Sequence, residues 1–198
     1  MKQRILKALL AGILIGFGAY AYVSLFNENK VLGAALFSLG LISVFHLQAD
    51  LYTGKIGQFP RIKVKPLAIM LLFNFIGISL LAITVLGNNQ LVEKCTEIAS
   101  KKTSISIPTA LIMAVLCGMI IQLAVDIKKE GPIATIMCIV LFILCGFEHC
   151  VANIFYFVGS SVFRWQYVLY TVIYIIGNSC GGILMRILVE RSRVNENN

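Results

Sequence analysis

Residues 146 to 157 read GFEHCVANIFYF and follow the apolar run ATIMCIVLFILC without a break. Glu148, His149 and Asn153 thus stand among side chains that suit lipid or packed core. An imidazole titrates near neutral pH and can give or take a proton there. Ionisable groups at membrane depth commonly mark ion paths, proton relays or ligand sites, while a plain packing or hydrogen-bonding role is the simpler alternative. The chain has one other histidine, His46. Cys145 and His149, four apart, would share a helical face, and two imidazoles could ligate a metal or haem. No CxxCH, no HExxH and no second clustered carboxylate accompany them, so no metal or cofactor is assigned. No nucleophile is paired with a base, which argues against an enzyme.

The setting follows from composition. The 198 residues are 59% hydrophobic and only 13% charged, with a mean hydropathy of +0.88; soluble domains run at about 45–50% apolar and about 25% charged. An integral membrane protein is predicted. Six segments are long enough to cross a bilayer, which takes roughly 20 apolar residues. They are Ile5–Phe26, Val31–Asp50, Leu67–Gly87, Ile107–Ile127, Ile133–Phe157 and Tyr167–Val189. The first 26 residues also satisfy a signal-peptide pattern, but the apolar stretch is too long for one and its removal would leave five spans.

With the N-terminus inside, the inner loops and ends hold 12 of the 17 lysines and arginines, the bias expected of cytoplasmic loops. Both termini are therefore predicted to be cytoplasmic. That bias accounts for the net charge of +8, so nucleic acid is not an expected partner. Five cysteines fall inside apolar segments, where they act as small buried hydrophobes; Cys95 sits in a loop without a partner, so no disulfide framework is expected.

The segment from His46 to Tyr52, HLQADLY, matches the segment from His149 to Phe155, HCVANIF, and NFIG from Asn74 matches NSCG from Asn178. Either match alone would pass for chance. Two at nearly one offset point to two three-helix halves, and an odd number of spans per half forces them into opposite orientations, the inverted plan of many transport proteins. After Asp50 the chain reads LYTGKIGQFPRIKVKP, where Gly54, Gly57, Pro60 and Pro66 oppose a continuous helix. Alone this would suit an ordinary loop as well as a break inside the membrane; its partner in the repeat favours the break. The fold predicted is all-α, six transmembrane helices in two inverted three-helix repeats, an aquaporin-like plan with a broken second helix. It forms one domain over residues 1–198, with halves near 1–90 and 103–190.

ADLYTG after FSLGL, NFIG, FEHCVAN and GNSCGG together resemble the formate/nitrite transporter family, pentameric channels for small monovalent anions, and the likeness runs from about Ala11 to Met185. The resemblance implies a central histidine at His149, a loop threonine at Thr53 and a pore-lining Leu51 followed by Tyr52. It also implies apolar constrictions at Phe37, Leu41 and Phe142, an aliphatic pore residue at Ile121, a lysine at Lys102 and a sixth-helix asparagine at Asn178. Gly118 stands where formate channels carry asparagine, His46 stands where a small or apolar residue is usual, and the linker from Thr53 to Pro66 is short.

The expected function is a channel in the cell inner membrane for a small monovalent anion or its conjugate acid. Formate comes first on family frequency, with nitrite and hydrosulfide open. A homopentamer in lipid is implied, with its G-x-x-x-G pairs, Gly12/Gly16 and Gly177/Gly181, available for close helix contacts. A bare ion in hydrocarbon is costly, so the pore must compensate or neutralise charge. His149 would meet the anion and exchange a proton with it, Thr53 would donate a hydroxyl, Lys102 would concentrate anions at the outer mouth, and Asn178 would hold the loop or the histidine. Glu148 is expected to satisfy helix or subunit contacts.

Overall fold

A computed structural model describes residues 2–194. Of the single domain expected over 1–198, Met1 and residues 195–198 lie outside the described residues. The helices are α1 (Lys2–Leu25), α2 (Lys30–His46), α3 (Tyr52–Lys55), α4 (Val64–Ile83), α5 (Asn89–Thr103), α6 (Ile107–Ile127), α7 (Pro132–Leu144), α8 (Cys150–Gly159) and α9 (Trp165–Val194). No strand occurs among the described residues. Four stretches are long and apolar enough to cross a membrane: Lys2–Leu25, Val64–Gly87, Ile107–Glu130 and Trp165–Arg193. The apolar helices α2, α7 and α8 are shorter.

Helix α1 packs on α4 and α2 just as α6 packs on α9 and α7, and α2 meets α7 between the two groups. The short helices fill the middle, α3 against α4, α6 and α9, and α8 against α1, α4, α5 and α9. Glycine permits the two tightest crossings. A Cβ on Gly12 would lie 2.2 Å from the Asn74 carbonyl oxygen, and one on Gly118 would lie 2.3 Å from that of Asn178. The close-contact glycines expected at a subunit interface are therefore used inside the chain: Gly16 faces Leu81, Gly177 faces Ala114 and Gly181 faces the Val115 carbonyl. Large apolar side chains such as Leu39, Leu72, Ile112, Met137 and Ile176 are exposed on the outside, a surface that water would not tolerate at this extent.

Four expectations are corrected. The fifth segment, read as one span over Ile133–Phe157, is two helices separated by residues 145–149. The second ends at His46 rather than Asp50. The stretch holding Cys95, read as a loop, is helix α5, capped by Asn88, whose Oδ1 accepts from the Gln90 and Leu91 amides. Leu91, Cys95, Ile98 and Ala99 form its buried stripe, and burial pushes the Cys95 thiol up to about 12. Of the cysteines expected to be buried, Cys145 and Cys180 are exposed on the chain's surface.

Both breaks have the same backbone. Gln48 (φ 49°) and Gly146 (φ 73°) adopt left-handed conformations and close Schellman turns: the Gln48 and Ala49 amides donate to the Phe45 and Val44 carbonyls, the Gly146 and Phe147 amides to those of Ile143 and Phe142. Each break is then tied to a neighbouring helix, Asp50 N–H to the Lys7 carbonyl at 3.1 Å and Glu148 N–H to that of Met113 at 3.3 Å.

Candidate functional site

Interrupting a helix frees backbone groups that hydrocarbon cannot satisfy. One asparagine at each break takes them up. Asn74 Oδ1 accepts from Tyr52 N–H at 2.8 Å, and its Nδ2 donates to the Ala8 and Asp50 carbonyls at 2.8 and 3.0 Å. Asn178 Oδ1 accepts from Cys150 N–H, and its Nδ2 donates to the Ala114 and Glu148 carbonyls, all at 2.8 Å. These contacts pair Tyr52 with Cys150 and Leu51 with His149. The register that set His46 opposite His149 is therefore wrong: His46 is exposed at the end of α2, with its Nδ1 2.9 Å from the Ile42 carbonyl, and the two histidines share no site.

His149 is the N-cap of α8 and is buried. The Ala152 amide, which can only donate, lies 3.0 Å from Nδ1. That assigns the neutral tautomer with its proton on Nε2, which points at Thr53 Oγ1 2.9 Å away. His149 faces a small chamber of about 10 Å³ lined otherwise by Ile15, Phe37, Leu41, Leu51, Ile121, Ile139 and Phe142. The space is at the lower limit for one water. Phe37 and Phe142 meet edge to face with centroids 5.8 Å apart, and Phe142 lies 6.1 Å from the imidazole.

Two larger hollows flank this chamber. One of about 280 Å³ includes Lys30, Lys101, Lys102, Glu148, Asn153 and Phe142; the other, about 360 Å³, includes Gln48, Lys55, Gln58, Lys128 and Leu51. Phe142 lines both the first hollow and the chamber, and Leu51 lines both the second and the chamber. Each is the side chain shared between one hollow and the chamber.

All five apolar residues singled out in the sequence, Phe37, Leu41, Leu51, Phe142 and Ile121, thus surround one chamber with His149. The remaining candidates are placed less directly. Thr53 is fully buried behind the imidazole, and Asn178 holds the backbone of the break. Gly118 faces α9 closely enough that no side chain fits, so an asparagine there could not point into this chamber. Lys102 does line the first hollow, but its Nζ lies 2.7 Å from Glu148 Oε2, which also accepts from Asn153 Nδ2 at 2.6 Å. Glu148 therefore makes contacts to two helices, Asn153 of α8 and Lys102 of α5, in keeping with the helix contacts expected of it, and by answering the Lys102 charge inside the chain it leaves little net positive charge at the mouth. Ile15 and Ile139 were missed; only their burial opposite His149 marks them out. Among the described residues no group of three His, Cys, Asp or Glu side chains could hold a metal ion.

Comparison with known proteins agrees with this geometry. Residues 1–191 match the family model described as formate/nitrite transporter. The uncharacterized transporter YrhG of Bacillus subtilis is 32% identical over 182 residues, covering 78% of this chain and 68% of its own. The formate channel FocA of Haemophilus influenzae is 29% identical over 149 residues, covering 64% of this chain and 52% of its own. Among solved structures, a pentameric formate channel with formate bound shares the fold with a TM-score of 0.73 at 21% identity, over 98% of this chain and 95% of that one. An FNT family ion channel has a TM-score of 0.81 at 21% identity, over 95% and 89%. This multi-pass membrane protein belongs to the formate/nitrite transporter family.

Proposed function

We propose that the chain conducts a small monovalent anion, or its conjugate weak acid, from one hollow to the other past His149, with formate the first candidate. One observation carries this reading: two hollows with lysines in their walls approach an apolar chamber from opposite ends, and His149 is the polar side chain lining it. An ion crossing such a chamber must be compensated or neutralised. A carboxylic acid with pKa about 4 is ionised at neutral pH, whereas imidazole titrates near 6.5 and can exchange a proton with it. Passing a proton to the cargo requires the ring first to take one up from water as the imidazolium, whose protonated Nδ1 can no longer accept from Ala152, so charging the ring releases the α8 cap. Thr53 holds the ring in place by accepting a hydrogen bond from Nε2–H; Asn178 holds the break that presents it.

Six crossings arranged as two inverted three-helix repeats fit the matched contacts of the two breaks, with α2–α3 and α7–α8 as the broken crossings. The excess of basic residues on the side of Lys55 and Lys128 supports cytoplasmic termini in the cell's inner membrane. The pentameric neighbour and the apolar outer faces support a homopentamer with one pore per subunit.

A second cargo, hydrosulfide, is favoured by one feature: the chamber offers an anion no amide, only an imidazole. Uptake of formate, nitrite and hydrosulfide into proteoliposomes decides among them. The proposal expects at least one to enter faster than into protein-free vesicles; equal rates for all three would refute it.

A further inference from the structure

Two apolar grooves run along the flank between α4 and α9, one beside each break. The first, about 320 Å³, includes Tyr52, Ile56, Phe59, Val64, Leu71 and Ile183. The second, about 650 Å³, includes Ile154, Phe157, Val168, Val172 and Ile175. Ile56 and Phe59 follow the first break as Ile154 and Phe157 follow the second. Their rims differ. The first is bordered by a loop and the first turn of α4, where Arg61, Lys63 and Lys65 are all exposed, and Val64, between the two lysines, lines the groove itself. Arg61 reaches Glu190 at 3.3 Å, whereas among the described residues no carboxylate pairs with Lys63 or Lys65. The second is rimmed by exposed Phe163 and Trp165, with Arg164 between them.

We propose that the first groove seats an acyl chain of an anionic phospholipid, its phosphate met by Lys63 and Lys65. The proposal rests on the membrane-spanning reading above and goes beyond it. Hydrocarbon fills an apolar groove on a flank that faces lipid, and basic residues at its mouth select an anionic headgroup. The second groove, with aromatic residues and the single Arg164 at its rim, offers a weaker selection.

The seat bears on the pore because Tyr52 and Ile56 form part of its wall. Their neighbour Leu51 lines the chamber, and Thr53 is bonded to His149. Tyr52 is fixed at both ends, its N–H by Asn74 and its hydroxyl 2.8 Å from Ser179 Oγ. An acyl chain against Tyr52 and Ile56 buttresses the segment that carries Leu51, so occupancy of the groove tunes conductance.

The test is lipid retention read by native mass spectrometry after extraction from phosphatidylcholine vesicles containing a minority of phosphatidylglycerol. The wild-type chain is expected to retain phosphatidylglycerol preferentially. Lys63→Gln with Lys65→Gln should reduce that preference by roughly tenfold, and Ala68→Phe, on an exposed groove residue, should remove the retained lipid whatever its headgroup. Arg164→Gln, at the other groove, should leave retention unchanged. An unaltered preference in the double variant overturns the proposal. So does an Ala68→Phe variant that keeps its lipid but loses subunits, since a second copy would then be what covers the groove. The readout needs no transport: a chain that retains phosphatidylglycerol but moves no anion sinks the transport reading and leaves this one standing.

Discussion

The break at residues 47–51 and the break at residues 145–149 share one scaffold and differ in chemistry. Each has a Schellman turn, an amide tied to a neighbouring helix and an asparagine closing the gap. The first presents Leu51 and continues into the four residues of α3; the second presents His149 and continues into the ten of α8. Each also carries a carboxylate with a basic partner. Glu148 and Lys102 are 2.7 Å apart with side chains 5% and 16% exposed, whereas Asp50 and Lys55 are 3.7 Å apart at 15% and 35%. One backbone solution therefore presents an apolar side chain, Leu51, on one side and an imidazole, His149, on the other.

Substituting the two lysines should separate the halves most. Lys102→Met strands a buried carboxylate, and we expect a loss of about 3–5 kcal/mol in unfolding of the solubilised protein. Lys55→Met removes a half-exposed, long pair and should change stability by about 0–1 kcal/mol. Equal losses would mean that the ion pairs do not distinguish the breaks.

The asparagines should behave alike. Asn74→Ala and Asn178→Ala each remove three hydrogen bonds to backbone, at roughly 1 kcal/mol apiece, so the two variants should fall in thermal unfolding by similar amounts. A loss confined to Asn178 would break the equivalence of the halves.

Phe142 and Leu51 give a functional contrast. Phe142→Ala opens the chamber toward the lysine-lined hollow and should raise flux or loosen selectivity in an assembled protein, as Leu51→Ala should from the other side. Truncating a core aromatic costs about 3–5 kcal/mol. Unchanged flux together with such a loss would make Phe142 a packing residue only.

The smallest effect is expected at His46→Asn. The side chain is exposed and bonds only its own helix, so uptake and its pH profile should match wild type; an altered profile would place chemistry in the first break after all.

Much of this was legible in the chain. The fourth span coincides with α6, because a long apolar run announces it; Ser106, whose Oγ accepts from the Thr109 amide, caps its start. Asn74 and Asn178 were paired correctly, since a polar amide in an otherwise apolar helix has few uses. The break before His149 was not foreseen, because both sides of it are apolar and Gly146 is its only breaker. The register of the repeat misled for a related reason: two identical histidines outweighed a correspondence carried by backbone hydrogen bonds, which leave no trace in residue type. The Lys102–Glu148 pair was hidden by a sequence separation of 46, and α5 by its polarity, although Asn88 and the spacing of Leu91, Cys95, Ile98 and Ala99 mark an amphipathic helix.

The pH profile of anion uptake by His149→Asn in proteoliposomes tests the central claim most directly. Asparagine keeps a hydrogen-bonding side chain at the cap of α8 but cannot titrate. If His149 is where the cargo's charge is met, the variant should remain folded while its uptake loses the wild-type dependence on pH. Uptake at the wild-type rate with the wild-type profile would make His149 a structural cap and contradict the proposed proton exchange.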